Sequence, residues 1–449
     1  MRERILLFII LTLLGVFLYI FQNYMNTVVG FLILCAIMIV YGLYSIAATK
    51  YQARKLRKHP PVINEAYKPF VTIMIPAHNE QHVIEYTVEN VLKLDYPNYE
   101  IIIIDDRSTD KTADVINELA QKHENVRALI REKDAFPGKS AVLNDALKLA
   151  KGDAILVFDA DATVEPNFLN LLIPQLEPAD VGAVQARKII RNKDYNLLTR
   201  CQNNEYTMDA HLQVGRDAVK GAVELRGNGE LIKREAIEDI GGWNNFTITD
   251  DLDMSTRLHI KGWDIRFCPE ACVYEEGIIY ILPLFRQRRR WLEGTIRRYL
   301  EYFGAAIRSN KMSLRARLDM TIYITQFIMP LWFMMEVGIR IIKFFTDKIN
   351  PASLHNEILS SLVISAVVGL GFFSMIRYSL RKYDKVPRLS AIKQALETTI
   401  YFLIIWFPME IFICGKILFR KKDMNWGKTA HGLVIEEEQK TTEEITISN

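Results

Sequence analysis

Four clusters of charged side chains in the middle of this chain have the spacing of reacting groups. Asp159-Ala160-Asp161 sets two carboxylates around one small residue. Such a pair can hold a divalent cation with open positions, and Mg2+ and Mn2+ favour oxygen donors of this kind, shared with phosphates. A polar turn that caps a helix would use the same residues. Asp105-Asp106-Arg107-Ser108-Thr109-Asp110 offers carboxylates that can accept from a base or a ribose, while Ser108 or Thr109 can cap a following helix. Thr249-Asp250-Asp251-Leu252-Asp253 crowds acids that repel one another unless a cation, a base role or solvent relieves them. Thr249 can also cap a helix running to Ile260, with acids favoured in its first turn. In Gln287-Arg288-Arg289-Arg290-Trp291, arginines beside an aromatic suit a diphosphate and the face of a sugar. A basic amphipathic helix lying on a membrane has the same composition.

The elements around these clusters read as α/β. Val71–Pro76, Ile101–Ile104 and Ala154–Phe158 are short apolar runs, and polar residues cluster just after each. Helical patterns cover Gln81–Leu94, Thr109–Lys122 and Lys139–Lys151. Alternation of this kind predicts parallel β-α-β units with helices on both faces. In open α/β sheets the ligand crevice lies at the carboxyl ends of the strands, where these acids fall. Trp243 and Trp263 read equally as packing residues or as stacking surfaces, and His78 as a ligand contact or a solvated loop residue.

The chain has 449 residues, half of them hydrophobic, but the apolar residues are clumped. Stretches near 5–21, 28–48, 320–343, 358–376 and 398–418 are apolar enough to span a bilayer, which takes about 20 helical residues. The first pair predicts a helical hairpin turning at Gln22–Thr27. Arg2 and Arg4 precede it and Lys50, Arg54, Lys55, Arg57 and Lys58 follow it, which places both flanks, and the polar block after Pro60, in the cytoplasm. Basic residues lie on both sides of 398–418, which one crossing cannot place on the same side of the membrane; Pro408 and Glu410 mark a break or re-entrant turn there. Glu336 and Arg340 form an i,i+4 pair or part of a channel wall. The net charge of +3 is near balance and gives no sign of a nucleic-acid partner. The five cysteines are scattered, which excludes a disulfide scaffold.

In order and in company, the D-D-x-S-T-D strand end, the D-x-D, the acidic T-D-D and Q-x-x-R-W resemble the motifs of the processive family 2 glycosyltransferases, among them cellulose, hyaluronan, chitin and poly-N-acetylglucosamine synthases. The resemblance covers about 71–300, and Ile404-Ile405-Trp406-Phe407-Pro408 looks like the last membrane segment of bacterial poly-N-acetylglucosamine synthases, the nearest likeness expected. It departs at Asp250, where Glu is usual. The resemblance implies a GT-A-like, Rossmann-related catalytic domain at 51–300, set between a transmembrane hairpin at 1–50 and, after an interfacial segment at 301–318, a transmembrane region at 319–420 with a polar tail at 421–449.

It also implies roles. Ala77, Glu80 and Asp106 would contact the uridine half of a UDP-sugar, with Lys139 and Asp159 near the nucleotide. Asp161 would bind Mg2+ or Mn2+, and Asp251 would be the general base. Gln287, Arg290 and Trp291 would hold the diphosphate and the acceptor end. The chemistry asks for these types: a departing UDP needs positive charge, and a sugar hydroxyl needs a carboxylate to take its proton. One base without a carboxylate nucleophile fits a single inverting displacement. The expected activity is polymerisation of a UDP-sugar, UDP-N-acetylglucosamine first, into an exported polysaccharide at the plasma membrane, with a small membrane subunit as a further partner. The alternatives are transfer of one sugar to a lipid acceptor and a non-catalytic nucleotide-sugar sensor.

Overall fold

The computed structural model describes residues 2–24, 27–58, 64–346, 366 and 369–420. Its centre is an eight-stranded sheet: β1 Val71–Ala77, β2 Tyr99–Asp105, β3 Val126–Ile130, β4 Ala154–Val157, β5 Thr163–Val164, β6 Val181–Ile190, β7 Glu230–Lys233 and β8 Asp264–Glu275. The order is β3-β2-β1-β4-β7-β6-β8-β5. The first half is the parallel arrangement expected, with β1 between β2 and β4 and β2 beside β3. The second half is not. β7 runs antiparallel to both β4 and β6, β8 pairs parallel with β6, and β5 antiparallel with β8.

β2 shows why the sheet is buried on both faces. Successive side chains on a strand point to opposite faces. Ile101 and Ile103 join one core with the helices Ile84–Val91, Thr112–Lys122 and Phe168–Leu176. Ile102 and Ile104 join the other, with Lys139–Leu149 and Asp250–Lys261. All four isoleucines are buried, each worth about 1.5–3 kcal/mol on leaving water. Trp243 is buried in the second core and Trp263 packs against it with its Nε1 donating to Asp239 at 3.1 Å, so both are packing residues.

Long helices flank this domain. Arg2–Tyr24, Thr27–Lys58 and Leu314–Thr346 include the first three apolar stretches, and the expected boundaries at 50 and 300 fall inside Thr27–Lys58 and Ile281–Arg308. Among the described residues, one helix, Arg388–Phe419, is long and apolar enough to cross a membrane by length and composition. It neither breaks nor re-enters at Pro408. A π-helical turn, Phe402–Trp406, widens the helix just ahead of the proline, where the ring would otherwise meet a regular turn and an N–H is missing. Most of 358–376, residues 25 and 26 of the hairpin turn, the side chains of Glu336 and Arg340, and the tail after 420 lie outside the described residues.

Polar contacts bind these helices to the sheet domain. Glu293 of Ile281–Arg308 pairs with Lys416, and Arg297 reaches Glu3 at 2.6 Å. Arg216, fully buried in Leu197–Ala218, meets Asp319 at 2.9 Å and lies 4.0 Å from the centroid of the Tyr323 ring.

Candidate active site

A cavity of about 440 Å³ opens at the carboxyl ends of β1 and β4 and extends to the flanking helices. Its polar end is lined by Glu80, Lys139, Asp159, Asp161, Asp250 and Asp251. Gln287, Arg290 and Trp291 line the cavity as well. Eight of the ten expected site residues therefore meet in one space: all but Ala77 and Asp106.

The two exceptions have physical reasons. The Ala77 methyl is part of the core, and its carbonyl accepts from the Asp106 amide at 2.8 Å. Asp106 is fully buried and committed to arginines: Oδ1 accepts from Arg131 at 2.6 Å and from Arg107 at 2.9 Å. Its place in the wall is taken by His78, whose Nδ1 is 2.7 Å from the Asp106 carbonyl. The expected caps also differ. Ser108 accepts from the Asn79 amide, the Thr109 amide donates to Asn79, and Asp110 accepts from the Thr112 amide at the helix start.

Lys139 opens the helix Lys139–Leu149, and its Nζ donates to Asp159 at 2.6 Å and to the Gly227 carbonyl at 2.8 Å. Burial alone would lower its pKa, but Asp159, Asp250 and Glu230 outweigh burial and hold the ammonium above its ordinary value. Asp161 Oδ2 accepts from the Glu276 amide at 3.0 Å. No group of three or more His, Cys, Asp or Glu among the described residues is gathered to hold a metal by itself. Asp159 and Asp161 supply hard oxygen donors at a strand end, a set that fits an ion shared with a diphosphate.

The acidic turn separates its members. Thr249 occupies the cap position of Asp250–Lys261 but makes no side-chain cap. A Cβ on Gly294 would lie 2.4 Å from the Thr249 Cγ2, so only glycine lets the arginine-rich helix Ile281–Arg308 come this close. Asp253 is structural: it pairs with Arg257 at 2.6 Å and accepts from Tyr302 at 2.8 Å. Asp250 and Asp251 face the cavity, and Asp250 Oδ2 is buried with no hydrogen-bond partner in the protein. Burial first and Asp250 second push the Asp251 carboxyl up to about 6, against the Leu252 amide, Arg226 and Lys139. Gly227, at φ +76°, would carry any Cβ to 3.4 Å from Asp251 Oδ2. A carboxylate that ionises near 6 is suited to accept a proton at neutral pH.

Gln287, Arg290 and Trp291 line the cavity, and Arg288 between them does something else. Arg288, not Arg290, is fully buried; its guanidinium lies 4.2 Å from the centroid of Trp291 and pairs with Glu205 at 3.2 Å. Glu205 also accepts from Tyr401 at 3.0 Å. Arg288 thus covers part of the ring expected to stack on a sugar, while Arg290 lines the cavity.

Several cavity groups were not anticipated. Lys188 pairs with Glu275 at 2.9 Å and lies 5.5 Å from the Trp291 centroid, and Tyr206 donates to Glu275 at 2.6 Å. Behind the wall, Glu230 is buried under the Gly227 amide. Burial pushes it up to about 8, Lys139 opposing and Asp250 and Asp251 adding to the rise. Glu275-Glu276-Gly277 and Arg226-Gly227-Asn228-Gly229 carry the signal that served elsewhere, acids and glycines at strand ends. Glu205 and Tyr206 sit in a long regular helix and carry none.

The comparisons agree with this geometry. Residues 69–294 match the family described as glycosyltransferase like family 2. The chain is 34% identical to the beta-monoglucosyldiacylglycerol synthase of Trichormus variabilis, over 90% of this chain and 84% of the relative. It is 30% identical to the poly-beta-1,6-N-acetyl-D-glucosamine synthase of Staphylococcus epidermidis, over 54% of this chain and 59% of the relative. The nearest likeness expected, to the latter group, is therefore not supported: the former matches over more of both chains and at higher identity. A mannosyltransferase from Pyrobaculum calidifontis, in complex with GDP-Man and Mn2+, superposes with a TM-score of 0.54 at 20% identity, over 83% of this chain and 99% of that one, which shows a shared fold.

Proposed function

Because this chain belongs to the glycosyltransferase-like family 2, we propose that it transfers a single sugar from a UDP-sugar to a diacylglycerol-type lipid in a membrane. The observation that carries this reading is the far arm of the cavity. Part of the lining is aromatic: Phe327, Phe372, Phe402, Trp406 and Phe407 come from the flanking helices, and the Phe372 ring lies within 6.0 Å of the Phe402 and Phe407 rings. The donor end is charged and the acceptor end is apolar, as a nucleotide sugar and a glycerolipid require. Glucose and diacylglycerol are named for the relatives and come to this chain as part of the proposal, in place of the N-acetylglucosamine polymer.

The reaction follows from the wall residues. Asp251 takes the proton of the lipid hydroxyl. The freed oxygen attacks the anomeric carbon from the side opposite the diphosphate, the bond to the phosphate oxygen breaks, and its electron pair leaves with UDP. One displacement inverts the anomeric centre. Lys139 and Arg290 stabilise the departing negative charge. An ion held by Asp159 and Asp161 together with the diphosphate would add Lewis-acid stabilisation. Apolar side chains such as Phe8, Leu13, Leu43 and Ile404 point outward from the flanking helices, which supports a lipid surround. Basic flanks at Arg2–Arg4 and Lys50–Lys58 support a cytoplasmic catalytic domain.

Polymerisation is the second reading, supported by the presence of Gln287, Arg290 and Trp291 in one cavity. The test is incubation of purified protein in lipid vesicles with labelled UDP-glucose and diacylglycerol. An organic-phase product with one hexose per lipid is expected. High-mass, water-soluble product would establish polymerisation instead.

A further inference from the structure

The aromatic arm contains two polar groups that the reaction above does not use. Trp406 and Glu410 both line it, and the Trp406 indole Nε1 and Glu410 Oε1 are buried without a hydrogen-bond partner in the protein. Glu410 is only 3% exposed. Positions four apart on a helix share a face. The π-helical turn Phe402–Trp406 ends at the first of the two residues, and such turns are frequent at functional sites. Buried polar groups are almost always paired, so an unpaired indole N–H and an unpaired carboxyl oxygen in one cavity wall point to a ligand that completes them.

The surroundings specify that ligand. Phe327, Phe372, Phe402 and Phe407 offer no polar partner, so the ligand is apolar over most of its surface. It must also present hydrogen-bonding oxygens at one level. The ester neck of a glycerolipid has that form: carbonyl oxygens accept hydrogen bonds, and acyl chains continue into apolar surroundings. We propose that Trp406 and Glu410 form a subsite for the ester neck of the lipid acceptor, with the indole N–H donating to one acyl-ester carbonyl and the carboxyl proton of Glu410 donating to the other. This rests on the lipid-acceptor reading and assigns its specificity to named groups.

The experiment compares an ester-linked diacylglycerol with an ether-linked dialkylglycerol of equal chain length, using the full chain in vesicles. The ether lipid keeps the reacting hydroxyl and the chains but lacks the carbonyls. The wild-type protein is expected to favour the ester by roughly tenfold in kcat/KM, as loss of hydrogen bonds to buried groups implies. Trp406→Phe and Glu410→Leu should each reduce that preference by about threefold or more, through KM for the lipid, with KM for the nucleotide sugar unchanged. Glu410→Gln retains a donor and should keep the preference. A wild-type ratio near one overturns the subsite without recourse to any variant, and so does an equal loss on both lipids. Polymer and no glycolipid from the wild-type protein would instead remove the reading on which the subsite rests.

Discussion

The two ends of the cavity are built on opposite principles. At the polar end the charged groups are held by the protein. Asp159 has Lys139, and Asp161 has the Glu276 amide. At the aromatic end Trp406 and Glu410 have buried polar atoms without protein partners, on a helix set among phenylalanines. Reacting groups must be fixed before substrate arrives, because misplacement costs rate. Groups that recognise a ligand must keep their hydrogen-bonding capacity for it. Asp250 and Asp251 stand between these cases: both face the cavity, and the Oδ2 of Asp250 has no partner.

The sharpest way to break this contrast is at the base. Asp251→Asn should lower the transfer rate by about 10²–10⁴-fold while UDP affinity, measured by calorimetry, is unchanged. Equal losses in both would make Asp251 a binding residue and the polar end no different in kind from the aromatic one. Next in size is the joint between the ends. Arg288→Ala would leave Glu205 buried beside Tyr401 without its cation, which typically costs about 3–5 kcal/mol. Thermal unfolding should show it; an unchanged unfolding temperature would mean that the two ends are not held together through this pair.

The smallest effect is in pH dependence. With Asp251 raised to about 6, the transfer rate should climb as pH rises through about 6 and then level off. In Asp250→Asn the neighbouring negative charge is gone and the climb should move to lower pH. The sign for stability is opposite. A carboxyl raised on folding binds its proton more tightly in the folded state, so its contribution is present below the unfolded value near 3.8 and lost as pH rises through about 6. Glu230, raised to about 8, extends the same trend upward. Asp251→Asn should flatten the lower part of that stability profile, as followed by denaturant titration.

What could be read from the sequence divides along the same line. β1, β2 and β4 are largely apolar runs with polar residues close behind them, so both strands and their end groups are local features. Asp159 and Asp161 were legible in this way, Asp251 as one of a crowd of acids and Lys139 only through the resemblance; all four line the cavity. The mixed second half of the sheet was not, because β7 between β4 and β6 is a long-range pairing that no run of residues announces. That Asp106 is paired off the cavity lining was hidden for a similar reason: its partner Arg131 lies 25 residues away at the end of another strand. Q-x-x-R-W pointed to Gln287, Arg290 and Trp291, which line the cavity, but not to Arg288, whose burial against Glu205 depends on how the helix is rotated in the fold. Trp406 and Glu410 appeared only as a motif and a disturbed span. Their common face depends on a helix that stays continuous through Pro408.

The central claim is that a lipid reaches Asp251 through the aromatic arm. Photo-crosslinking with a diacylglycerol that carries a diazirine in its acyl chain tests this directly, with adducts mapped by peptide mass spectrometry in the presence of UDP. Saturable adducts on the helices Leu314–Thr346 and Arg388–Phe419, near Phe327, Phe402 and Trp406, are the predicted result. Saturable adducts confined to the polar end around Lys139 and Asp159, or none that excess unlabelled diacylglycerol removes, would contradict it.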